Sequence, residues 1–173
     1  MQAKIITLFF VLGIFALTLP AQSFAQNSQV QSAATLGVAR IVQVKDMKLP
    51  NGTIISTTEG GAAIASAVPY DSQVLGVVSR DAAIILTSNT ATTGLPLISN
   101  GTVYVLVTNK EGPIKKGDLI TTSTTPGVAV KADNAGYVLG AAQEEYNSST
   151  PGLIVAELDL HYFNSKPTFI GTM

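Results

Sequence analysis

The segments VLGVV (74–78) and VLGAA (138–142) form the clearest pair in an internal repeat that organises this chain. Two further pairs precede them: TIISTT (53–58) with DLITTS (118–123), and GAAI (61–64) with GVAV (127–130). The offset between the members of a pair stays between 64 and 66 residues, and the order, spacing and turn positions agree. Self-similarity at a fixed offset indicates one structural unit used twice.

Superposing Gly37 on Gly101 extends the repeat towards the N-terminus. We predict two units, 37–86 and 101–158, within one β domain over residues 35–160. Each unit is a small antiparallel sheet with one apolar face and is too small to be stable alone. The fold class that we predict is all-β, with the two units packed as a sandwich or closed into a barrel. A chance alignment of two β-rich stretches with glycine turns is the alternative.

Short β-branched runs broken by Gly, Pro, Asn and Asp predict strands separated by turns. No window after the first 25 residues has the apolar stripe and caps of a helix. We read the Ser88 to Asn100 segment as a crossover loop because it is rich in Ser, Thr, Asn, Gly and Pro. The ten predicted strands are 36–44, 53–57, 62–65, 73–79, 82–87, 102–108, 118–122, 128–131, 137–143 and 153–162.

Residues 1–25 have the layout of a secretory signal peptide, with a positive start at Met1 to Lys4, an apolar run over 5–19 and a short polar end. Ser23-Phe24-Ala25 supplies the small residues that signal peptidase requires, so we expect cleavage after Ala25. The rival interpretation is an uncleaved membrane anchor, since residues 5–21 reach the short limit of a membrane-spanning helix. The chain has no cysteine, which excludes a lipid anchor on cysteine.

The mature chain would have 148 residues, enough for one domain. Residues 26–34 are small and polar, and we read them as a flexible linker. Loss of Lys4 leaves nine basic and eleven acidic residues, a net charge of −2, so we expect no nucleic-acid partner. Without cysteine there are no disulfides, thiol chemistry or cysteine-held metal sites, and we expect no cofactor.

One stretch carries a resemblance to known proteins. The sequence GPIKKGDLIT (112–121), followed by TPGVAVKA (125–132) and VLGAA (138–142), resembles a β module in bacterial surface proteins and phage tail-fibre-like proteins. Some of those modules lie near self-cleaving C-terminal chaperone domains of tail spikes, called peptidase G2 domains. The resemblance covers about fifty residues, mostly turn formers, and implies a fold more than a function.

The segment IKKGDLI (114–120) is also similar to the Gly-Asp strand of Ser/Lys peptidases related to signal peptidase and to repressor-cleaving proteases. Those enzymes need a serine, in a Ser-Met element upstream, that a lysine makes nucleophilic. This chain has no Ser-Met upstream of that strand. A turn in which Gly117 adopts positive φ before a strand explains the segment instead.

Other candidate chemistry is sparse, and we predict no metal site and no catalytic residue. His161 is the only histidine, and alternation places it on the Asp159 face of a terminal strand, where we read it as solvated. Glu144 and Glu145 are adjacent, so on a strand they point to opposite faces and form no acid/base pair. Asp133 to Gly136 has the composition of a turn, with too few ligands for calcium.

Three segments fit the N-glycosylation pattern, beginning at Asn51, Asn100 and Asn147. The Asn-Gly pairs at the first two also fit tight hairpin turns. The C-terminal tail, residues 161–173, has more aromatic weight than the domain before it.

From the sequence we expect an exported protein of the periplasm, cell surface or extracellular space. We expect a non-enzymatic structural or binding module that presents a rigid β surface to a protein partner, to itself or to an envelope polymer. One alternative is an enzyme: a self-processing peptidase-like domain, or a Ser/Lys hydrolase that uses Lys115 or Lys116. The other is a membrane-anchored subunit of a larger complex, if the leader is retained.

Overall fold

The structure is a computed structural model, and it describes residues 37–87 and 93–164. The predicted signal peptide, the predicted linker and residues 165–173 of the C-terminal tail lie outside the described residues. The described residues form strands, turns and irregular segments, with no helix. The ten strands are β1 (Gly37–Val42), β2 (Ile54–Thr57), β3 (Ala63–Ala65), β4 (Val74–Val78), β5 (Ile84–Leu86), β6 (Leu95–Val107), β7 (Leu119–Thr122), β8 (Ala129–Lys131), β9 (Gly136–Ala142) and β10 (Gly152–Phe163).

The pairings between named strands are antiparallel, except that β1–β5 and β6–β8 are parallel. The prediction of an all-β fold is therefore confirmed. Each of the ten predicted segments overlaps one observed strand, because the β-branched runs between turn formers suit a pleated, partly buried surface. Gly117 has a φ of 89°, as predicted for the turn before β7.

The predicted crossover loop is wrong over its last six residues, because β6 already begins at Leu95. Pro96 suggested a break, but proline removes only a donor, and its carbonyl oxygen accepts a hydrogen bond from the Ser79 backbone N–H at 2.9 Å. The Asn100-Gly101 pair is also no hairpin turn. It lies inside β6, between the part that pairs with β1 and the part that pairs with β10.

In the first half of the chain, β2 pairs with both β3 and β4. The first part of β6 pairs with β4 on one side, at Val77 and Ile98, and with β1 on the other, at Ala39 and Ile98. Val44, just after β1, forms a single parallel bridge with Ala63 of β3.

In the second half, β7 pairs with both β8 and β9. β10 pairs with β9 on one side, at Ala142 and Ala156, and with the second part of β6 on the other, at Val103 and Ala156. Val107, at the end of β6, forms a single parallel contact with Ala129 of β8.

Several backbone hydrogen bonds outside the strand pairings close turns and strand ends in each half. In the first half, the backbone N–H groups of Gly52, Ser66, Lys45 and Ser79 donate to the carbonyl oxygens of Val78, Ile54, Ala63 and Pro96, in that order. In the second half, the N–H groups of Gly117, Ala132, Thr108 and Gln143 donate to the carbonyl oxygens of Ala142, Leu119, Ala129 and Val155.

The buried side chains form two clusters. The smaller lies in the first half and contains Val44, Ile55, Ala63, Val78, Leu95 and Leu97. The larger is built mainly from the second half, but it also includes residues of β1, β2, β4 and β6 from the first, namely Ala39, Ile54, Val77 and Ile98. These four residues join the two halves into one core, since they pack in the cluster of the second half.

Two buried threonines provide a matched test of the interior. Thr108 Oγ1 is buried without a hydrogen-bond partner, whereas Thr121 Oγ1 donates to the Tyr137 carbonyl oxygen at 2.7 Å. We expect Thr108→Val to raise the free energy of unfolding by about 1 kcal/mol, because an unpaired buried hydroxyl is removed. Thr121→Val should lower it by about 1 kcal/mol or more. Urea denaturation of both variants measures the two changes, and equal signs would contradict this reading.

Candidate functional site

A cleft lies where the loop before β4 meets the β6–β7, β7–β8 and β8–β9 connections. Its volume is about 240 Å³. The lining residues are Pro69, Tyr70, Lys110, Glu111, Thr122, Ser123, Thr124, Val130, Lys131, Asp133 and Asn134. The first two come from the first half of the chain and the rest from the second, so the cleft lies at the junction of the halves.

Tyr70 is the most unusual residue of the cleft. Among the described residues it is the only one, apart from glycines, with a positive φ, and that φ is 51°. Its hydroxyl oxygen accepts hydrogen bonds from the backbone N–H groups of Asp133, at 3.1 Å, and Asn134, at 2.9 Å. Its ring lies against the backbone of Gly136, where no Cβ intervenes. Tyr70 thus ties the β3–β4 loop to the β8–β9 turn.

Asp71 holds the same loop in place through three hydrogen bonds. Its backbone N–H donates to Thr122 Oγ1 at 2.8 Å, and its carboxylate accepts from Ser66 Oγ at 2.9 Å and from the Gln73 backbone N–H at 2.8 Å. Side-chain bonds of this kind hold a turn in one conformation. The cleft is therefore pre-formed.

Some polar side chains of the cleft are bonded to other described residues, and others are not. Lys110 Nζ donates to Thr125 Oγ1 at 2.8 Å, and Lys131 Nζ lies 3.1 Å from Asp118 Oδ2. Four further side chains make no hydrogen bond with another described residue, and these are Glu111, Thr124, Asp133 and Asn134. The free groups include both donors and acceptors.

Asp118 supports the turn beneath the cleft. The Lys115 backbone N–H donates to Asp118 Oδ2 at 2.9 Å, and this bond, together with the Lys131 ammonium, holds the pKa of the carboxyl below its usual value of 3.8. Because the pKa is depressed by folding, the carboxylate stabilises the protein above about pH 4. That contribution is lost as the pH falls through the lower folded-state pKa.

We therefore expect Asp118→Ala to lower the free energy of unfolding by about 1 kcal/mol at pH 7. The difference from the wild type should shrink at pH 3, where the unfolded chain already binds the proton. Urea denaturation at the two pH values measures both quantities, with Asp159→Ala as an exposed carboxylate control. An equal loss at both pH values would show that the charge of Asp118 does not contribute.

The structure does not assemble the other predicted candidates. Lys115 and Lys116 are exposed in the turn before β7, where neither side chain is hydrogen-bonded to a described serine. His161 lies on β10 with Nδ1 2.6 Å from the Asp159 carbonyl oxygen, on the predicted face. Glu144 lies beyond β9, not on a strand, and its carboxylate accepts from the Val155 backbone N–H at 2.8 Å.

The Asn51 and Asn147 side chains are both engaged. Asn51 Oδ1 accepts from the Arg80 backbone N–H at 3.1 Å, and its Nδ2 donates to Asp81 Oδ2 at 2.8 Å. Asn147 Oδ1 accepts from Asn109 Nδ2 at 2.8 Å. Both residues act as connectors between loops.

Within residues 37–87 and 93–164, no three His, Cys, Asp or Glu side chains come together in a way that would hold a metal ion. The same ranges contain no helix with the length and apolar character needed to cross a membrane.

A second surface is the outer edge formed by β5. Among the described residues β5 pairs only with β1, in parallel, with Val38 opposite Ile84 and Arg40 opposite Leu86. Its three residues are all apolar and all exposed, Ile84 by 54%, Ile85 by 41% and Leu86 by 58%. Val38 on β1 extends this apolar edge, which we define as Val38 and Ile84 to Leu86.

The sequence predicted neither the cleft nor the β5 edge. The positive φ of Tyr70 has no residue-type signature, since glycine and asparagine are the usual occupants of that region. The run Ile84 to Leu86 predicts a strand, but apolar runs normally predict burial, and here the strand lies outermost.

The chain matches no protein-family profile and no curated protein.

Proposed function

We propose that this protein is an exported, non-enzymatic structural module, built from two tandem copies of one β unit, that assembles with itself through the β5 edge. The exposed apolar edge is the observation that carries the assembly. The resemblance of residues 112–142 to β modules of surface and tail-fibre-like proteins points in the same direction.

The tandem copies are supported by strand pairing. The pairs Ile55–Ala65 and Ile120–Lys131 occupy the same place in the two halves, as do Ile55–Gly76 and Ile120–Gly140. In this proposal the first unit is β1 to β4 with the first part of β6. The second is the later part of β6 with β7 to β10.

The parallel contacts favour one change to the sequence alignment. Val44 lies opposite Ala63 of β3, and Val107 lies opposite Ala129 of β8, which favours an offset of 63 and not 64 in the first strand. Every member of the smaller apolar cluster then has a counterpart in the larger one. The counterparts of Val44, Ile55, Ala63, Val78, Leu95 and Leu97 are Val107, Ile120, Ala129, Ala142, Ile154 and Ala156.

The β5 edge is open to self-pairing. Unpaired edge strands are usually protected by lysine, proline or a covering element, because their free N–H and C=O groups bind other strands. Residues 82–87 contain neither charge nor proline. Antiparallel pairing of two copies about a two-fold axis at Ile85 places Ile84 opposite Leu86 of the second copy, so apolar side chains meet and no charges do.

The non-enzymatic part is supported by the surroundings of the lysines. A Ser/Lys hydrolase requires a desolvated lysine that takes a proton from serine. Lys115 and Lys116 are exposed, and Lys110 donates a hydrogen bond to Thr125 and is therefore not acting as a base there. Export is supported by residues 1–25 and by the absence of cysteine.

The assembly is tested by sedimentation of residues 26–173 at several concentrations. We expect a dimer that Ile84→Lys converts into a monomer, since a buried, unpaired ammonium is strongly unfavourable. Val68→Lys is the control, because Val68 is exposed by 58%, close to the 54% of Ile84, but lies in the β3–β4 loop, away from the edge. A monomeric wild type, or equal behaviour of the two variants, would contradict the proposal.

Export and the absence of self-cleavage are tested by the intact mass of the protein from its native host. A mass matching residues 26–173 is expected. An uncleaved mass would favour the membrane-anchored subunit, and cleavage within the β domain would favour the self-processing enzyme.

A further inference from the structure

We infer that the cleft beneath Tyr70 binds one residue of a neutral saccharide. This inference goes beyond the self-assembly proposed above and uses a different surface, since none of the cleft residues belongs to the β5 edge.

The size of the cleft sets the class of ligand. Its volume of about 240 Å³ lies just below the range of about 300–1,000 Å³ that accommodates drug-sized molecules. A single polar ring fills such a space, whereas a peptide or a nucleotide does not fit within it. A longer polymer would place one residue in the cleft and extend beyond it into solvent.

The balance of charge points to a neutral ligand. Lys110 and Lys131 line the cleft together with Glu111 and Asp133, and the formal charges of these four side chains sum to zero. An anion such as phosphate would approach two carboxylates, and an organic cation would approach two ammonium groups. Neither ion meets a surplus of opposite charge, because the lining ammonium groups and carboxylates are equal in number.

The free polar groups match the chemistry of hydroxyls. Each sugar hydroxyl both donates and accepts a hydrogen bond, so it needs acceptors and donors close together. Glu111 and Asp133 provide carboxylate acceptors, Asn134 provides an amide that does both, and Thr124 provides a hydroxyl. Bonds to charged acceptors are the stronger ones.

Tyr70 contributes a fixed aromatic wall. Its left-handed backbone is a costly conformation for a bulky residue, and such conformations persist where the surroundings enforce them, often at binding sites. The two hydrogen bonds to its hydroxyl hold the ring in place before a ligand arrives. A ring already ordered adds apolar contact area to one face of a sugar without further loss of conformational entropy.

The experiment follows backbone amide NMR signals of residues 26–173 during separate titrations with glucose, galactose, N-acetylglucosamine and inorganic phosphate. We expect at least one saccharide to shift the amides of Tyr70, Thr124 and Asn134 with a Kd on the order of 1 mM, as suits a ligand of one ring. Asp133→Ala should weaken this binding about tenfold, because a hydrogen bond to a charged group is lost. Asp159→Ala is the matched control and should leave it unchanged.

The inference is overturned if none of the three saccharides shifts these amides, if Asp133→Ala binds like the wild type, or if phosphate binds in preference. The Asp133 side chain makes no hydrogen bond to a described residue, so its loss should not unfold the protein. Repeating the titration with Ile84→Lys separates the two proposals, because a monomer that still binds saccharide supports the cleft whatever the outcome for assembly.

Discussion

Replacing Gly140 by alanine should destabilise the protein by more than about 3 kcal/mol and leave little folded material at ambient temperature. Gly140 lies in β9 with a φ of 141°, and a Cβ at this position would overlap the Glu157 carbonyl oxygen on β10. Because the obstructing atom belongs to the backbone, it cannot rotate away. Two paired strands would have to separate.

Gly76→Ala should have a similar effect, because Gly76 in β4 also combines a positive φ with a close backbone neighbour. Its φ is 145°, and a Cβ there would overlap the Ile98 carbonyl oxygen on β6. Gly112→Ala is the control, since Gly112 also has positive φ, 103°, but a Cβ would meet no atom within 4 Å. We expect that variant to lose only about 1 kcal/mol. Thermal and urea denaturation measure all three, and a Gly140→Ala variant as stable as Gly112→Ala would contradict the described packing of β9 on β10.

Ile98→Ala should lower the free energy of unfolding by about 3–4 kcal/mol. Ile98 is fully buried, pairs with both Ala39 and Val77, and belongs to the cluster that joins the two halves. Its truncation leaves a cavity at the junction that the paired strands cannot close. Urea denaturation gives the change in free energy, and the unfolding transition should remain single because neither half retains a complete core.

Ile84→Ala is the matched control for Ile98→Ala, because it makes the same truncation in an exposed strand. We expect a change within about 0.5 kcal/mol in the monomer at low protein concentration. Comparable losses in the two variants would show that the described burial of Ile98 is wrong. Two separate transitions for Ile98→Ala would show that the halves fold independently.

Most of the strands were predictable from the sequence because their local signals are strong. β2 and β7, for example, are β-branched runs that follow turns at Gly52 and Gly117. The start of β6 was not predictable, because Pro96 and Asn100-Gly101 have the composition of turns. Tertiary pairing with β1 and β4 overrides that local preference.

The candidate surfaces were harder to predict than the strands. The Asp133 to Asn134 turn was visible from its composition, but its contact with Tyr70 spans more than sixty residues and has no local pattern. The exposure of β5 depends on which strand ends at the edge of the sheet, and that is a property of topology. The offset of 63 residues that we propose for the first strand of the repeat rests on strand pairings, which have no local sequence pattern.

The most direct test of self-assembly is a disulfide cross-link at the centre of the proposed interface. The chain has no cysteine, so Ile85→Cys introduces a single thiol. Antiparallel pairing about Ile85 brings the two Cα atoms to about 4.5–5.5 Å, within the range that a disulfide bridges. We predict that mild oxidation yields a covalent dimer of Ile85→Cys and much less of Val68→Cys at the same concentration. Equal yields, or no dimer of Ile85→Cys, would contradict assembly through the β5 edge.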